Sequence, residues 1–297
     1  MKTETISRTA EGAAVIRAIE SYRSKRDRLF EDRLACGFVR NPFSRWIIGL
    51  MNMVGIGTAL LTLRDRQFPG VIGGLICRTR YIDDALQDAL REGCKQVVIL
   101  GAGFDSRAYR IPGVDETRVF EVDHPGTQIW KQKCLKRMLD SLPSHVTFVP
   151  VDFDKQELKD EMVKTSFCTN VKTFFIWEGV SQYITEEAVD STFRYVSGAS
   201  APGSKIVFTY IQRDIIDGSA RSELGHKLVS LAQRLGEPWL FGFNKEELAH
   251  YLAEHGLAPI EDIGDSDYKE RYLKPIGRQL NVFAIERIML AQSVRSQ

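Results

Sequence analysis

The stretch Gln96-Val-Val-Ile-Leu100-Gly101-Ala-Gly103-Phe-Asp105-Ser-Arg107 decides the fold. A strand covered on both faces reads as a continuous apolar run, and this one closes on two glycines that permit a tight turn and close backbone approach. Similar runs stand at 118–122, 146–151, 173–177 and 205–210, separated by helical patterns at about 128–140, 155–164 and 185–198. Strands alternating with helices predict βαβ units and a doubly wound α/β sheet. Upstream, residues 71–91 read as a long helix between the Pro69-Gly70 turn and Gly93. Residues 10–35 also read as helix, the charged stretch from Arg23 to Arg33 being its solvated face. Downstream, runs at 257–263 and 279–286, with no convincing helix between them, predict an antiparallel hairpin at the sheet edge. Residues 211–256 form a mostly helical insertion before these last two strands.

The rest of the composition narrows the class. With 297 residues, 43% hydrophobic and 27% charged, the chain is an ordinary globular protein. Forty Lys+Arg against 39 Asp+Glu, mixed along the chain, argue against nucleic acid as a main partner. Five separated cysteines offer neither a disulfide framework nor a Cys/His zinc site, so no metal is expected. The opening residues lack the apolar core of a signal peptide, which makes a reducing cytoplasm the expected location. Residues 46–63 are uncharged and just reach spanning length. Gly55 and Gly57 would break them, so they are expected to form a buried or lid-forming helical pair rather than a membrane contact.

In open α/β sheets, ligands lie beyond the carboxyl ends of the strands. Gly101 and Gly103 leave the first strand. Asp123 ends the second, 20 residues after Gly103, where an acid can bind the two hydroxyls of an adenosine ribose. That spacing suits a dinucleotide and S-adenosylmethionine alike, but Ser106 and Arg107 stand where a third glycine would bring a helix close to a pyrophosphate. The methyl donor is therefore favoured over a nicotinamide cofactor. Asp152 and Phe153 follow the third strand, suited to the adenine end, with a helix N-cap as the alternative role for Asp152. Glu178 follows the fourth, where it could hold the amino group of a methionine moiety or form an ion pair with an arginine.

At these residues the sequence closely resembles the leucine carboxyl methyltransferase family and its bacterial S-adenosylmethionine-dependent members. The carrying segments are Arg78-Thr-Arg80-Tyr-Ile-Asp83-Asp84, Val98 to Arg110, Phe120-Glu-Val-Asp123-His-Pro125 and Trp177-Glu178-Gly-Val-Ser-Gln-Tyr183. Thr9, Ala10, Arg17 and Ala18 resemble the family's opening, so the likeness extends to about residue 210. The resemblance implies a class I methyltransferase fold with a helical N-terminal lid over residues 1–70. Residues 71–297 would then bind S-adenosylmethionine, with 211–256 capping the acceptor side. It also implies that Arg78 binds the donor's carboxylate and Gly101 approaches its methionine part. Asp123 would hold the ribose, Asp152 and Phe153 the adenine end, and Glu178 the amino group. Tyr183 matches a family tyrosine on the acceptor side.

Two departures stand out. Asp154 occupies the position where enzymes that methylate a protein's C-terminal leucine carry an arginine for the substrate carboxylate, although Lys155 is adjacent. The family's Asp-Pro near the chain start is here Asp32-Arg33.

The expected function is an S-adenosylmethionine-dependent O-methyltransferase acting on a small organic acceptor. Tyr183, Tyr210, Arg213 and His226 are the acceptor-side candidates, and Trp239, Phe241 and Phe243 either line an apolar pocket or pack the cap. No histidine except His226 is a candidate base. A carboxylate acceptor, which needs none, is therefore slightly favoured over a hydroxyl. The alternatives are a protein carboxyl methyltransferase, which Asp154 opposes, and a protein that binds the donor without turnover.

Overall fold

The computed structural model describes residues 8–43, 45–46, 48–49, 65–152 and 156–294. Seven strands form one mixed sheet: β1 (Gln96–Leu100), β2 (Arg118–Asp123), β3 (Val146–Pro150), β4 (Thr173–Trp177), β5 (Lys205–Ile211), β6 (Leu257–Ile263) and β7 (Glu286–Ser293). Their order is β3-β2-β1-β4-β5-β7-β6. The first five are parallel, and β7 runs antiparallel to both β5 and β6. The order reverses at β1, so the groove beyond the carboxyl ends of β1 and β4 is the ligand position of an open α/β sheet.

The pleat divides the core. Val97 and Ile99 of β1 face one apolar layer with Ile76, Ile82 and Leu86 of helix α2 (Val71–Arg91). Val98 and Leu100 face the other, with Val189, Phe193 and Val196 of α4 (Glu186–Gly198) and Leu248 and Leu252 of α6 (Lys245–Glu254). Burial on both faces is why β1 and β4 are apolar after their first residues, and those two, Gln96 and Thr173, hydrogen-bond to each other at 3.1 Å. Helix α3 (Pro125–Met138) links β2 to β3, and α5 (Glu223–Leu235) lies in the 211–256 insertion. Helix α1 (Arg8–Ser21) sets Ala14 against Phe38, Phe104 and Leu135, so the N-terminal segment packs beside the first strand-end turn.

Four readings of the sequence are corrected. The helix expected over residues 10–35 ends at Ser21, because the charged stretch after it is used for tertiary pairing. Leu29 N–H donates to the Glu20 carboxylate at 2.8 Å, and Asp32 is 1% exposed. The last strand is not 279–286. Phe283 N–H donates to Gly70 O at 3.1 Å, and Asn281 and Phe283 pack on Gly73 and Gly74, where a Cβ would come within 2.0 and 2.1 Å of them. Residues 280–283 are thus committed to the start of α2, and pairing with β5 begins at Glu286. The connection from β6 to β7 carries short helical turns at Asp265–Tyr268, Lys269–Leu273 and Lys274–Ile276, although the strands pair antiparallel at the edge as expected. The helix expected over 155–164 is shorter, Leu158–Met162.

Most of the uncharged 46–63 stretch lies outside the described residues. Among those described, no helix is long and apolar enough to cross a membrane.

Candidate functional site

The turn after β1 is set by two left-handed glycines, Gly101 at φ +66° and Gly103 at φ +38°. A Cβ on Gly101 would lie 2.3 Å from Val180 Cγ2, and one on Gly103 would lie 3.3 Å from the Ala10 methyl of α1. The turn is therefore pinned between the β4 exit loop and the first helix. Gly103 N–H donates to Asp123 Oδ2, and His124 N–H to Asp123 Oδ1 at 2.6 Å. Burial pushes the Asp123 carboxyl up, against the pull of those two donors. The residue as a whole is half-buried. His124 caps α3, its Nδ1 accepting from Gly126 N–H at 3.2 Å, which is a structural role.

Glu178, one residue beyond β4, does have an arginine partner, and in fact two. Arg78 Nε lies 2.7 Å from Oε1, and Arg107 Nη1 lies 2.6 Å from Oε2. Burial acts to raise the Glu178 carboxyl, but the two guanidinium groups outweigh it and hold the group far below the ordinary carboxylate range. Arg78 also grips Glu286 through Nη1 at 2.6 Å, and Arg107 grips Asp83 at 2.8 Å and Asp105 at 2.5 Å. Arg110 chelates Asp83 at 2.6 and 2.8 Å. Arg17 of α1 reaches Asp32 at 2.9 Å and the Phe104 carbonyl at 2.5 Å, and Ser106 Oγ donates to Asp32 at 2.6 Å. This ladder of ionic groups fastens α1, α2 and the glycine turn to the end of β4.

The structure thus brings Gly101, Gly103, Asp123 and Glu178 together at neighbouring strand ends, with Arg78 on Glu178. Asp152 follows β3 and is half-buried; its N–H donates to Gln156 Oε1 at 3.0 Å. Phe153, Asp154 and Lys155 lie outside the described residues. Tyr183 sits in a short turn after Glu178. Its phenol is pushed up by burial, with Trp239, Thr9, Glu237 and Gln182 the polar groups that bear on it. Thr9 Oγ1 donates to Glu237 Oε2, and Leu240 N–H donates to Gln182 O at 2.6 Å.

The other acceptor-side candidates have the following surroundings. Tyr210 is fully buried in the second core layer and donates to Asp262 at 3.1 Å, across the sheet. Arg213 donates Nε to Gly242 O at 3.1 Å and lies over the Phe241 ring. His226 is exposed on α5. Phe241 and Phe243 pack edge to face at 4.7 Å inside the core, the packing role. Among the described residues, no group of His, Cys, Asp and Glu is arranged to hold a metal.

Sequence reasoning missed Arg107 as a Glu178 partner, Glu286 as a second partner of Arg78, and Thr9 with Glu237. Arg107 was visible only as the absence of a glycine. Glu237 had no local signal, because only the fold sets the 236–240 loop against the start of α1.

A seven-stranded sheet of this order, with glycine, acid, acid and acid at successive strand ends, defines a class I methyltransferase. Solved structures agree on the fold. A Thermobifida fusca protein assigned as a methyltransferase superposes with a TM-score of 0.56 at 17% identity, covering 80% of this chain and 88% of its own. A DUF574-family protein from Streptomyces avermitilis gives 0.56 at 13% identity, covering 95% and 97%. The chain belongs to the leucine carboxyl methyltransferase family, whose sequence profile matches residues 10–197. It is 35% identical over 74% of its length to YktD of Bacillus subtilis, an assigned S-adenosyl-L-methionine-dependent methyltransferase, of which it covers 72%. It is 30% identical over 84% of its length to a Streptomyces coelicolor protein of the same assignment, of which it covers 86%.

Proposed function

We propose that this S-adenosylmethionine-dependent methyltransferase transfers its methyl group to an oxygen of a small organic acceptor. The observation that carries the donor site is the Asp123 carboxylate, held by two backbone N–H groups beside a left-handed glycine turn. Each Asp123 oxygen takes one backbone N–H, and a carboxylate has about four lone-pair sites, so one on each oxygen remains for two neighbouring hydroxyls. Arg78 and Glu178 present opposite charges to one place, which suits a zwitterionic amino-acid end. Asp152 and Phe153 are assigned to the adenine side.

When bound, the donor supplies an electrophilic methyl carbon on a sulfonium centre. The chain's own contribution is alignment and exclusion of water. Gly101 and Gly103 set the backbone, Asp123 fixes one end of the donor, and the Arg78–Glu178–Arg107 cluster fixes the other. Residues 1–70 serve as the lid and 211–256 as the acceptor-side cap, a division supported by the Thr9–Glu237 bond that joins the two segments. A protein C-terminus is the weaker acceptor, because Asp154 stands where those enzymes carry an arginine.

Titration calorimetry with S-adenosylmethionine tests the donor site. Asp123→Ala should weaken binding by about 1–3 kcal/mol through loss of charge-assisted hydrogen bonds. Unchanged affinity in that variant rejects the ribose assignment. Binding without transfer to any acceptor of a broad panel would favour the non-catalytic alternative.

A further inference from the structure

A pocket of about 1000 Å³ opens between the turn after α1, the start of α2 and residues 269–281. None of Gly101, Asp123, Glu178 and Arg78 lines it, so it is a different place from the donor groove. Its floor is apolar. Ile72 and Leu273 are buried members of the first core layer, and Leu280 packs against that layer.

The walls are charged, and all but one of these charges have partners. Lys274 Nζ lies 2.9 Å from Glu270, and Lys269 Nζ lies 3.0 Å from Asp265. Asp65 accepts from Gly70 N–H at 2.8 Å and from Asn281 Nδ2 at 2.9 Å, and Asp27 accepts from Ser24 Oγ at 2.7 Å. Arg278, its side chain 6% exposed, sets Nη1 and Nη2 at 2.6 and 2.8 Å from the two oxygens of the fully buried Glu20. Its Nη1 also reaches Asp27 O at 3.3 Å, and its Nε is buried without a partner. Arg23 is the exception. Its N–H donates to Glu20 O at 3.1 Å, but the Glu20 carboxylate is already taken by Arg278. Among the described residues the half-buried Arg23 side chain makes no hydrogen bond or ion pair, and its Nε is closed off from solvent as well. Burial and the neighbouring Arg278 guanidinium hold Arg23 below the ordinary arginine value, against the weaker pull of Glu20 and Asp27. A partly desolvated cation without an acid to match it is a group that an anion would satisfy.

We propose that this pocket is a second ligand site, that it takes a small organic monocarboxylate, and that Arg23 receives the carboxylate. One unmatched guanidinium calls for one negative charge, and its planar fork fits the two oxygens of a carboxylate. Asp27, Asp65 and Glu270 stand on the same walls, so a dianion such as phosphate would be repelled where a monoanion is tolerated. Ile72, Leu273 and Leu280 supply the apolar surface for the rest of the molecule, the usual division of labour in a small-molecule pocket. The site does not depend on the methyl-donor reading, because the two places share no residue named here.

The test follows the Arg23 Nε–H signal by nitrogen-15 NMR of the full-length protein, the signal being identified by its loss in Arg23→Gln. Sodium hexanoate is titrated at constant ionic strength, with hexanamide and inorganic phosphate as comparison probes, and calorimetry gives the affinities. Hexanoate should shift the signal saturably and bind at least about tenfold more tightly than either comparison probe, as one charge-assisted contact implies. Arg23→Gln should weaken hexanoate by a similar factor. The variant should melt with the parent and keep its S-adenosylhomocysteine affinity within twofold, because no bond of the fold is removed. Saturation with S-adenosylhomocysteine should leave hexanoate binding unchanged. No saturable shift, equal binding of hexanamide, tighter binding of phosphate, or unchanged hexanoate affinity in Arg23→Gln overturns the proposal. So does displacement of hexanoate by S-adenosylhomocysteine, which would put the carboxylate in the donor groove instead.

Discussion

Asp32 offers the sharpest quantitative test of how the N-terminal segment is held. Its side chain is fully buried, with Oδ2 accepting from Arg17 Nε at 2.9 Å and Ser106 Oγ at 2.6 Å, and Oδ1 accepting from Ala35 N–H at 3.0 Å. Asp32→Ala removes all three and leaves the Arg17 guanidinium, 10% exposed, with only the Phe104 carbonyl. Removing one partner of a buried pair costs about 3–5 kcal/mol. That is a large share of a typical stability of about 5–15 kcal/mol. At about 2–4 °C per kcal/mol for a protein of this order of size, the melting temperature should fall by roughly 10 °C.

Urea unfolding at pH 7 measures the loss directly. Arg17→Met combined with Asp32→Ala should cost less than the two single changes added together, with a coupling of about 0.5–3 kcal/mol. The pH dependence has a definite sign. Burial acts to raise the Asp32 carboxyl, but Arg17, Arg110 and the Ser106 hydroxyl hold it below the ordinary range. Its contribution is therefore present above the unfolded value of about 3.9 and is lost as pH falls through the depressed native value. The gap between parent and variant should be full at pH 5–7 and close on further acidification. A gap below about 1 kcal/mol, strictly additive single changes, or a gap that persists into strong acid would refute the reasoning.

Two further outcomes follow from the same geometry. Gly101→Ala forces a Cβ into the left-handed region and against Val180 Cγ2, at about 1–2 kcal/mol for the backbone plus about 1–3 for the contact. Adding Val180→Ala should relieve only the contact part, and full or absent rescue in urea unfolding would contradict that division. Glu121, fully buried with Lys131 at 2.8 Å, has its carboxyl pushed up to about 7 by burial, which outweighs the lysine. A raised native value means its contribution is present below the unfolded value of about 4.3 and lost as pH rises through about 7. Carbon-13 NMR of the Glu121 carboxyl should titrate near 7, and a midpoint near 4 would remove the effect.

Much of the architecture was legible because it rests on local patterns. A five-residue apolar run such as Gln96–Leu100 is buried on both faces, so its composition shows its place. The strand-end residues were legible for the same reason, since a strand's exit fixes where the next side chain emerges. What could not be read depended on distant partners. The 279–286 run is as apolar as a strand, but Gly73 and Gly74 give it a different seat. The charges between Arg23 and Arg33 look solvated until Arg17 and Ser106 claim Asp32. Tyr210 and Arg213 leave β5, but the partners that hold them, Asp262 and Gly242, are distant in sequence. Glu237 becomes visible only when two segments 228 residues apart meet.

The position of β7 bears on how the chain is made. Residues 286–293 leave the ribosome after the other six strands, yet they lie between β5 and β6. Until they emerge, β5 keeps one open row of backbone donors and acceptors, and β6 has no neighbour in the sheet. Open edges of this kind template unwanted pairing with other chains. The growing polypeptide therefore carries both open edges until residues 286–293 emerge, and those eight residues close them at once.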